Sequence, residues 1–175
     1  MKKIDKKTRL NQACENFVMN LTFYRSWSQL GDDLKNISTK ESQKTIFWKS
    51  AKNSFLDSAL FYWRGIFIDT SSKHYFTNYI DEHEFKNRFY EKNHLSNHSQ
   101  AFEYYLQQIK KLQVNDYTQL ENLEDSTFKL LDTALNTILL LHDLVFPETN
   151  YMLVDYLNNQ LTLANQEYKE FNLKH

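Results

Sequence analysis

Between about Thr8 and Leu30 the apolar positions return every three or four residues, at Leu10, Cys14, Phe17, Leu21 and Tyr24. That spacing lines one face of a helix and predicts a first α-helix over the stretch. Gly31 is expected to stop it ahead of Asp32 and Asp33, because glycine adopts the left-handed conformation that closes many helices. A second, longer helix is predicted after Ser38 or Thr39, where Ser38 and Glu41 have capping-box spacing. Its apolar residues run from Ile46, Phe47 and Trp48 through Ala51, Phe55, Ala59, Tyr62, Trp63 and Ile66 to Phe67, and they cover more than one face. Such a helix needs neighbours on several sides, so it is expected to be central. Asp69, Thr70, Ser71 and Ser72 are expected to end it.

Short helices are predicted over about 73–80 and 82–93, with a break from Asn93 to Asn97. Another is predicted from about Ser99 to Leu112, before a loop near Asn115 and Asp116. A fifth major segment spans roughly 119–145, where Leu123, Leu130, Ala134, Ile138, Leu141 and Val145 mark a buried stripe. Pro147 separates it from a last helix carrying Leu153, Leu157, Leu161, Ala164, Tyr168 and Phe171 at helical spacing. No internal repeat, heptad array or flexible linker interrupts the chain.

Composition sharpens this pattern into a fold class. The 175 residues include two glycines and one proline, too few turn formers for a sheet-rich domain. The expectation is an all-α protein: one domain over 1–175, a four- to five-helix bundle with short additional helices. Thirteen Phe, eleven Tyr and three Trp supply the buried area for a proper core. Cys14 is the one cysteine, so no internal disulfide forms, and its apolar neighbours make it a small core residue rather than a reactive thiol. The lone cysteine, with no secretory signal, implies a cytoplasmic, reducing home. No apolar run approaches the ~18–20 residues that cross a bilayer.

Net charge is −1 but unevenly spread, at +5 over residues 1–118 and −6 over 119–175. That asymmetry gives a dipolar surface or complementary patches in a dimer. Residues 1–9 hold Lys2, Lys3, Lys6, Lys7 and Arg9 against Asp5. They read as a frayed, solvated leader, with a phosphate-contacting arm as the sharper alternative.

Candidate chemistry is sparse. With glycine only at 31 and 65, the Rossmann fingerprint and the P-loop are excluded. There is no nucleophile elbow and no cysteine-based zinc motif. His94 and His98 are four apart, but Leu95, Ser96 and Asn97 look like a helix boundary, so they read as polar loop histidines and neither a metal nor a cofactor is expected. His83 belongs to an acidic helix start. His142 reads as a histidine near a helix C-terminus, bonded to a carbonyl or water. Asp132 is either a buried polar anchor or solvent-facing. Arg64 either packs its guanidinium on a ring or lays its stem on apolar surface while its head reaches solvent or Asp69.

The order of several short pieces resembles a bacterial group of small helical proteins in the HEPN superfamily, including abortive-infection members. The pieces are Phe47-Trp48-Lys49-Ser50-Ala51, Ala59 to Phe67, Lys73-His74-Tyr75-Phe76, Phe85 to Phe89, Ala101-Phe102-Glu103-Tyr104-Tyr105 and Leu131 to Leu135, covering roughly residues 45–145. The resemblance implies a HEPN-like bundle and a homodimer. It also implies metal-independent ribonuclease chemistry built on an arginine, a polar residue and a following histidine. Arginine would hold the scissile phosphate and histidine would move the 2′-hydroxyl proton. Where that motif would fall, after Tyr104-Tyr105, the chain reads Lys110-Lys111-Leu112-Gln113-Val114-Asn115-Asp116, with neither arginine nor histidine. Lys110 and Lys111 remain as candidate RNA contacts. Arg88 and His94 have the loose spacing of the motif, with Phe89 at its polar position, and are the candidate catalytic pair.

Three functions follow as expectations. The first is a catalytically silent relative of the superfamily in a bacterial defence or stress system, acting by binding RNA or a protein partner encoded nearby. The second is a ribonuclease toxin using Arg88 and His94. The third is an unrelated helical interaction protein. No membrane association is expected.

Overall fold

The computed structural model describes residues 5–37, 43–93, 100–112, 125–148, 153, 155–163 and 166. Among them there is no strand. Helix α1 spans Lys6–Ile37 and α2 spans Gln43–Phe67. A 3₁₀ turn at Phe76–Asn78 precedes α3 (Glu82–Lys92), α4 (Ala101–Lys111) and α5 (Asp125–Val145). Residues 155–163 are also helical.

The predicted stripe of α1 is the buried one: Leu10, Cys14, Phe17, Leu21 and Tyr24 are all enclosed. Gly31 does not end the helix, which runs on to Ile37. An isolated glycine inside a helix costs about 1 kcal/mol relative to alanine, and it ends one only where the chain also turns left-handed. The helix also begins earlier than the pattern suggests, so Lys6, Lys7 and Arg9 belong to its first turns. The Ser38–Glu41 capping box lies outside the described residues, as do 119–124 at the predicted start of the fifth segment.

α1 and α2 form an antiparallel pair along their length, with Phe23 stacked on Phe55 at 5.3 Å. α1 also meets α5, and α5 in turn meets α3 and α4. α5 thus touches three helices, α1 packs on α2 and α5 and buries even Asn20 and Thr22, and α2 packs on α1 along its length and, through its aromatic end, on the 3₁₀ turn, α3 and α4. α2 keeps a solvent strip at Ser54, Asp57 and Phe61, the last 71% exposed. Its aromatic end is covered because the chain folds back over it.

That return is well tied. The α2 backbone closes through Ile68 and Asp69 amides on the Arg64 carbonyl. The Asp69 carboxylate accepts from the Ser71 amide and hydroxyl, and Ser72 Oγ accepts from the His74 amide. Side chains and turns thus take the backbone donors that a 73–80 helix would have used, and one 3₁₀ turn remains. It delivers Phe76 into a cluster of rings. Phe67 lies 5.2 Å from Trp63, 5.5 Å from Phe76, 5.7 Å from Phe85 and 6.3 Å from Phe102. Phe89 closes on Phe102 at 5.1 Å. Most are tilted or edge-on, as ring quadrupoles prefer, which adds ~0.5–1.5 kcal/mol per pair to the burial itself.

α3 starts at Asp81, whose carboxylate accepts from the His83 and Glu84 amides as an N-cap. Lys86 then joins α3 to α4, with its ammonium 2.8 Å from Glu82, 2.5 Å from Glu103 and 5.8 Å above the Phe102 ring. α5 keeps its predicted stripe at Ala134, Ile138, Leu141 and Val145. Past Pro147 the stripe fades: Leu153 is buried, but Leu161 is 39% exposed. Ala164, Tyr168 and Phe171 lie outside the described residues. No described helix is long and apolar enough to cross a membrane.

Two outcomes test this packing. Phe67→Ala should lose about 3–5 kcal/mol in urea unfolding, while Asn136→Ala, at an exposed position of α5, should stay within about 0.5 kcal/mol of the parent. Burial pushes the Cys14 thiol up to about 12, so a thiol-reactive dye should label the native protein far more slowly than the urea-unfolded chain. Equal rates would show that the α1 face is not closed.

Candidate functional site

Arg88 stands on the exposed side of α3, and Phe85 and Phe89 hold that helix in place by packing on the opposite side. Its Nη1 lies 3.1 Å from Oε2 of Glu91, one turn further on. Both side chains are more than half exposed, so the pair adds at most ~1 kcal/mol. His94 lies outside the described residues, as does His98.

Lys110 and Lys111 occupy the last turn of α4 with exposed side chains. Their neighbourhood is organised by Arg64 on α2, whose Nη2 donates to the Leu112 carbonyl at 2.7 Å and approaches the Lys110 carbonyl at 3.4 Å. A helix end leaves carbonyls without intrahelical partners. Here a guanidinium from another helix satisfies them, the task a left-handed glycine often performs. Arg64 therefore neither seeks Asp69 nor serves only as a cover for apolar surface. Asp69 is engaged by Ser71 instead, and those hydrogen bonds hold its carboxyl below the usual range.

His142 is 1% exposed. Its Nε2 lies 2.9 Å from Asn11 Oδ1. The Asn11 amide nitrogen donates to Glu15 at 2.8 Å, which leaves Oδ1 as the acceptor and places the imidazole proton on Nε2. The ring stacks on Phe146 at 4.7 Å. Lys7 of α1 reaches the same place, its ammonium 3.4 Å from the Val145 carbonyl and 5.8 Å from the Phe146 ring. The carbonyl that His142 meets is thus the side-chain amide of Asn11 on α1, and its Nδ1 is buried without a partner among the described residues. Enclosure at this depth makes it a joint between α1 and α5 rather than a group that meets substrate.

Asp132 faces solvent and pairs with Arg25 at 2.6 Å. His83 is exposed and contributes only its amide to the α3 cap. Among the described residues no group of three His, Cys, Asp or Glu side chains is placed to hold a metal ion.

His74, of the Lys73-His74-Tyr75-Phe76 piece, is drawn against the start of α1. The Tyr79 hydroxyl lies 2.7 Å from the Lys73 carbonyl and 3.1 Å from the Lys6 carbonyl. The His74 ring is half-buried, and burial together with the Arg9 charge depresses its pKa below 6.5. Nothing in the sequence links residues 9 and 74. The one available signal was Tyr79 itself, a ring with a polar tip in a loop of small polar residues.

Burial likewise holds His142 below 6.5. Below that pH the unfolded chain takes up a proton that folded His142 resists, so stability falls as the solution is acidified. Urea midpoints at pH 7.5 and pH 5.0 should therefore differ, and His142→Gln should shrink the difference. An unchanged difference in the variant would remove His142 from the pH dependence.

No family model matches this chain, and neither a curated protein nor a solved structure is similar to it.

Proposed function

We propose that this chain is a catalytically silent, HEPN-like helical protein of a bacterial defence or stress system, working as a homodimer that binds a protein partner or RNA. The observation that carries the reading is the segment Lys110 to Asp116, which has cations but no arginine and no histidine where the resemblance places a ribonuclease motif. Two features of the described residues support it. Arg88, the cation of the alternative pair, is engaged with Glu91 on an exposed helix face rather than held ready for a phosphate. Phe61 and Tyr104 present large aromatic surface to solvent, 71% and 60% exposed, of the kind that anchors interfaces.

A catalytic imidazole and arginine acting together would make expression toxic, and either substitution would relieve it. The silent reading expects the opposite. Induced expression should leave growth unchanged, and Arg88→Ala and His94→Ala should behave as the parent does. Co-expression with the products of neighbouring genes should yield a stable complex, and light scattering at micromolar concentration should report twice the 21.1 kDa chain mass. Toxicity relieved by either substitution would instead establish the ribonuclease reading. A monomer with no partner would leave only an unrelated helical protein.

A further inference from the structure

Most of the described cations have a partner. Arg25 meets Asp132, Lys86 meets Glu82 and Glu103, Arg88 meets Glu91 and Lys92 meets Asp143. Arg64 and Lys7 rest on backbone carbonyls. Lys6, Arg9 and Lys73, by contrast, have no side-chain hydrogen bond or ion pair among the described residues. Lys110, Lys111 and Lys129 share that property, but nothing in the fold draws a second segment of unpaired cations in beside them.

At Lys6 and Lys73 something does. The Tyr79 hydroxyl sits between the carbonyls of these two residues and holds the first turn of α1 against the 69–80 loop. Arg9 rises from the same turn, half-buried, near enough to His74 and Tyr79 to bias the ionisation of both. His74 packs behind these cations, with its Nδ1 buried and without a partner among the described residues. The acidic groups nearby are Asp5, which faces Tyr79, and Asp69, whose carboxylate is engaged by Ser71. One hydroxyl thus brings the segments that carry Lys6, Arg9 and Lys73 together, and no hydrogen bond or ion pair among the described residues uses these side chains.

The geometry points to a binding site for the phosphodiester backbone of a nucleic-acid strand across the start of α1 and the 69–80 loop, with Lys6, Arg9 and Lys73 contacting phosphates and His74 beside them. Point charges on flexible stems next to a planar guanidinium suit successive phosphate oxygens, which position a strand without reading its bases. The inference names a ligand class and a site for the binding function proposed above and rests on that reading only for RNA as one of its ligands. The contact is moved from Lys110 and Lys111 to a junction of two segments far apart in the chain.

The test is fluorescence anisotropy with the full chain and two labelled 20-mers, oligouridine RNA and oligothymidine DNA, across about 50–250 mM NaCl. Three neutralised phosphates on a single strand give a log–log salt slope of about −2. The double variant Lys6→Gln/Lys73→Gln should weaken binding by about tenfold or more at 50 mM and flatten the slope to about −0.7. Arg9→Gln should weaken it also, and Lys110→Gln/Lys111→Gln should stay within about twofold. Equal binding of both strands assigns recognition to the backbone alone, while a preference for oligouridine adds a contact to the 2′-hydroxyl. Circular dichroism checks each fold, and Lys73→Gln alone, in an exposed loop, carries the test if the Lys6 change unfolds α1. Three results overturn the site: no binding at 50 mM NaCl, equal binding of an oligoglutamate competitor, or a loss that follows Lys110 and Lys111 instead. A partner complex recovered alongside any of these would leave the proposed function standing, and patch-dependent binding by a toxic chain would do the reverse.

Discussion

Phe67, the last residue of α2, lies within 6.3 Å of four other rings, contributed by α2 itself, the 3₁₀ turn, α3 and α4. The most extensive packing of α2 is with α1 along the long hairpin. The rings are what fasten the short elements of the middle of the chain to the hairpin's end. Burying one phenylalanine side chain stabilises by about 1.5–3 kcal/mol, and the six residues Trp63, Phe67, Phe76, Phe85, Phe89 and Phe102 are all essentially inaccessible to solvent. Without them the 69–80 loop would have polar ties but no reason to lie across α2.

Polar groups then set the details that apolar packing leaves open. Arg64 closes the end of α4 from one side, Lys86 braces α3 against α4 from the other, and the Asn11–His142 bond fixes how α1 meets α5. Each is directional, and each joins residues from different elements. Their net worth is modest, because every one replaces hydrogen bonds to water. Their influence lies in choosing one register among several that the rings and leucines would tolerate.

Residue spacing along the chain was enough to place the buried faces of α1 and α5, because a three-to-four repeat is a local property. It was also enough to place α3 and α4 to within two residues at each described end. It misjudged Gly31, since a glycine closes a helix only where the surrounding chain also turns. It put neighbours on several sides of α2, and the rings at its end do meet the 3₁₀ turn, α3 and α4, while a strip at Ser54, Asp57 and Phe61 stays in solvent. Arg64, His142 and the Lys6–Lys73 junction depend on which distant residue sits opposite. Periodicity holds no information on that. The Arg88–His94 spacing is likewise a local property of the chain, and Arg88 stands on the exposed side of α3 beside Glu91.

The order of the elements also has a consequence during synthesis. α1 and α2 lie first in the chain and can pair as soon as both have emerged, because every contact between them is within the first 67 residues. Trp63 and Phe67 then wait for about 35 more residues before Phe102 arrives to cover them, which at ribosomal speeds of about 5–20 residues per second is roughly 2–7 s. For that interval the nascent hairpin displays a bare aromatic tip, a natural docking point for a chaperone and the place where translation rate bears most directly on yield.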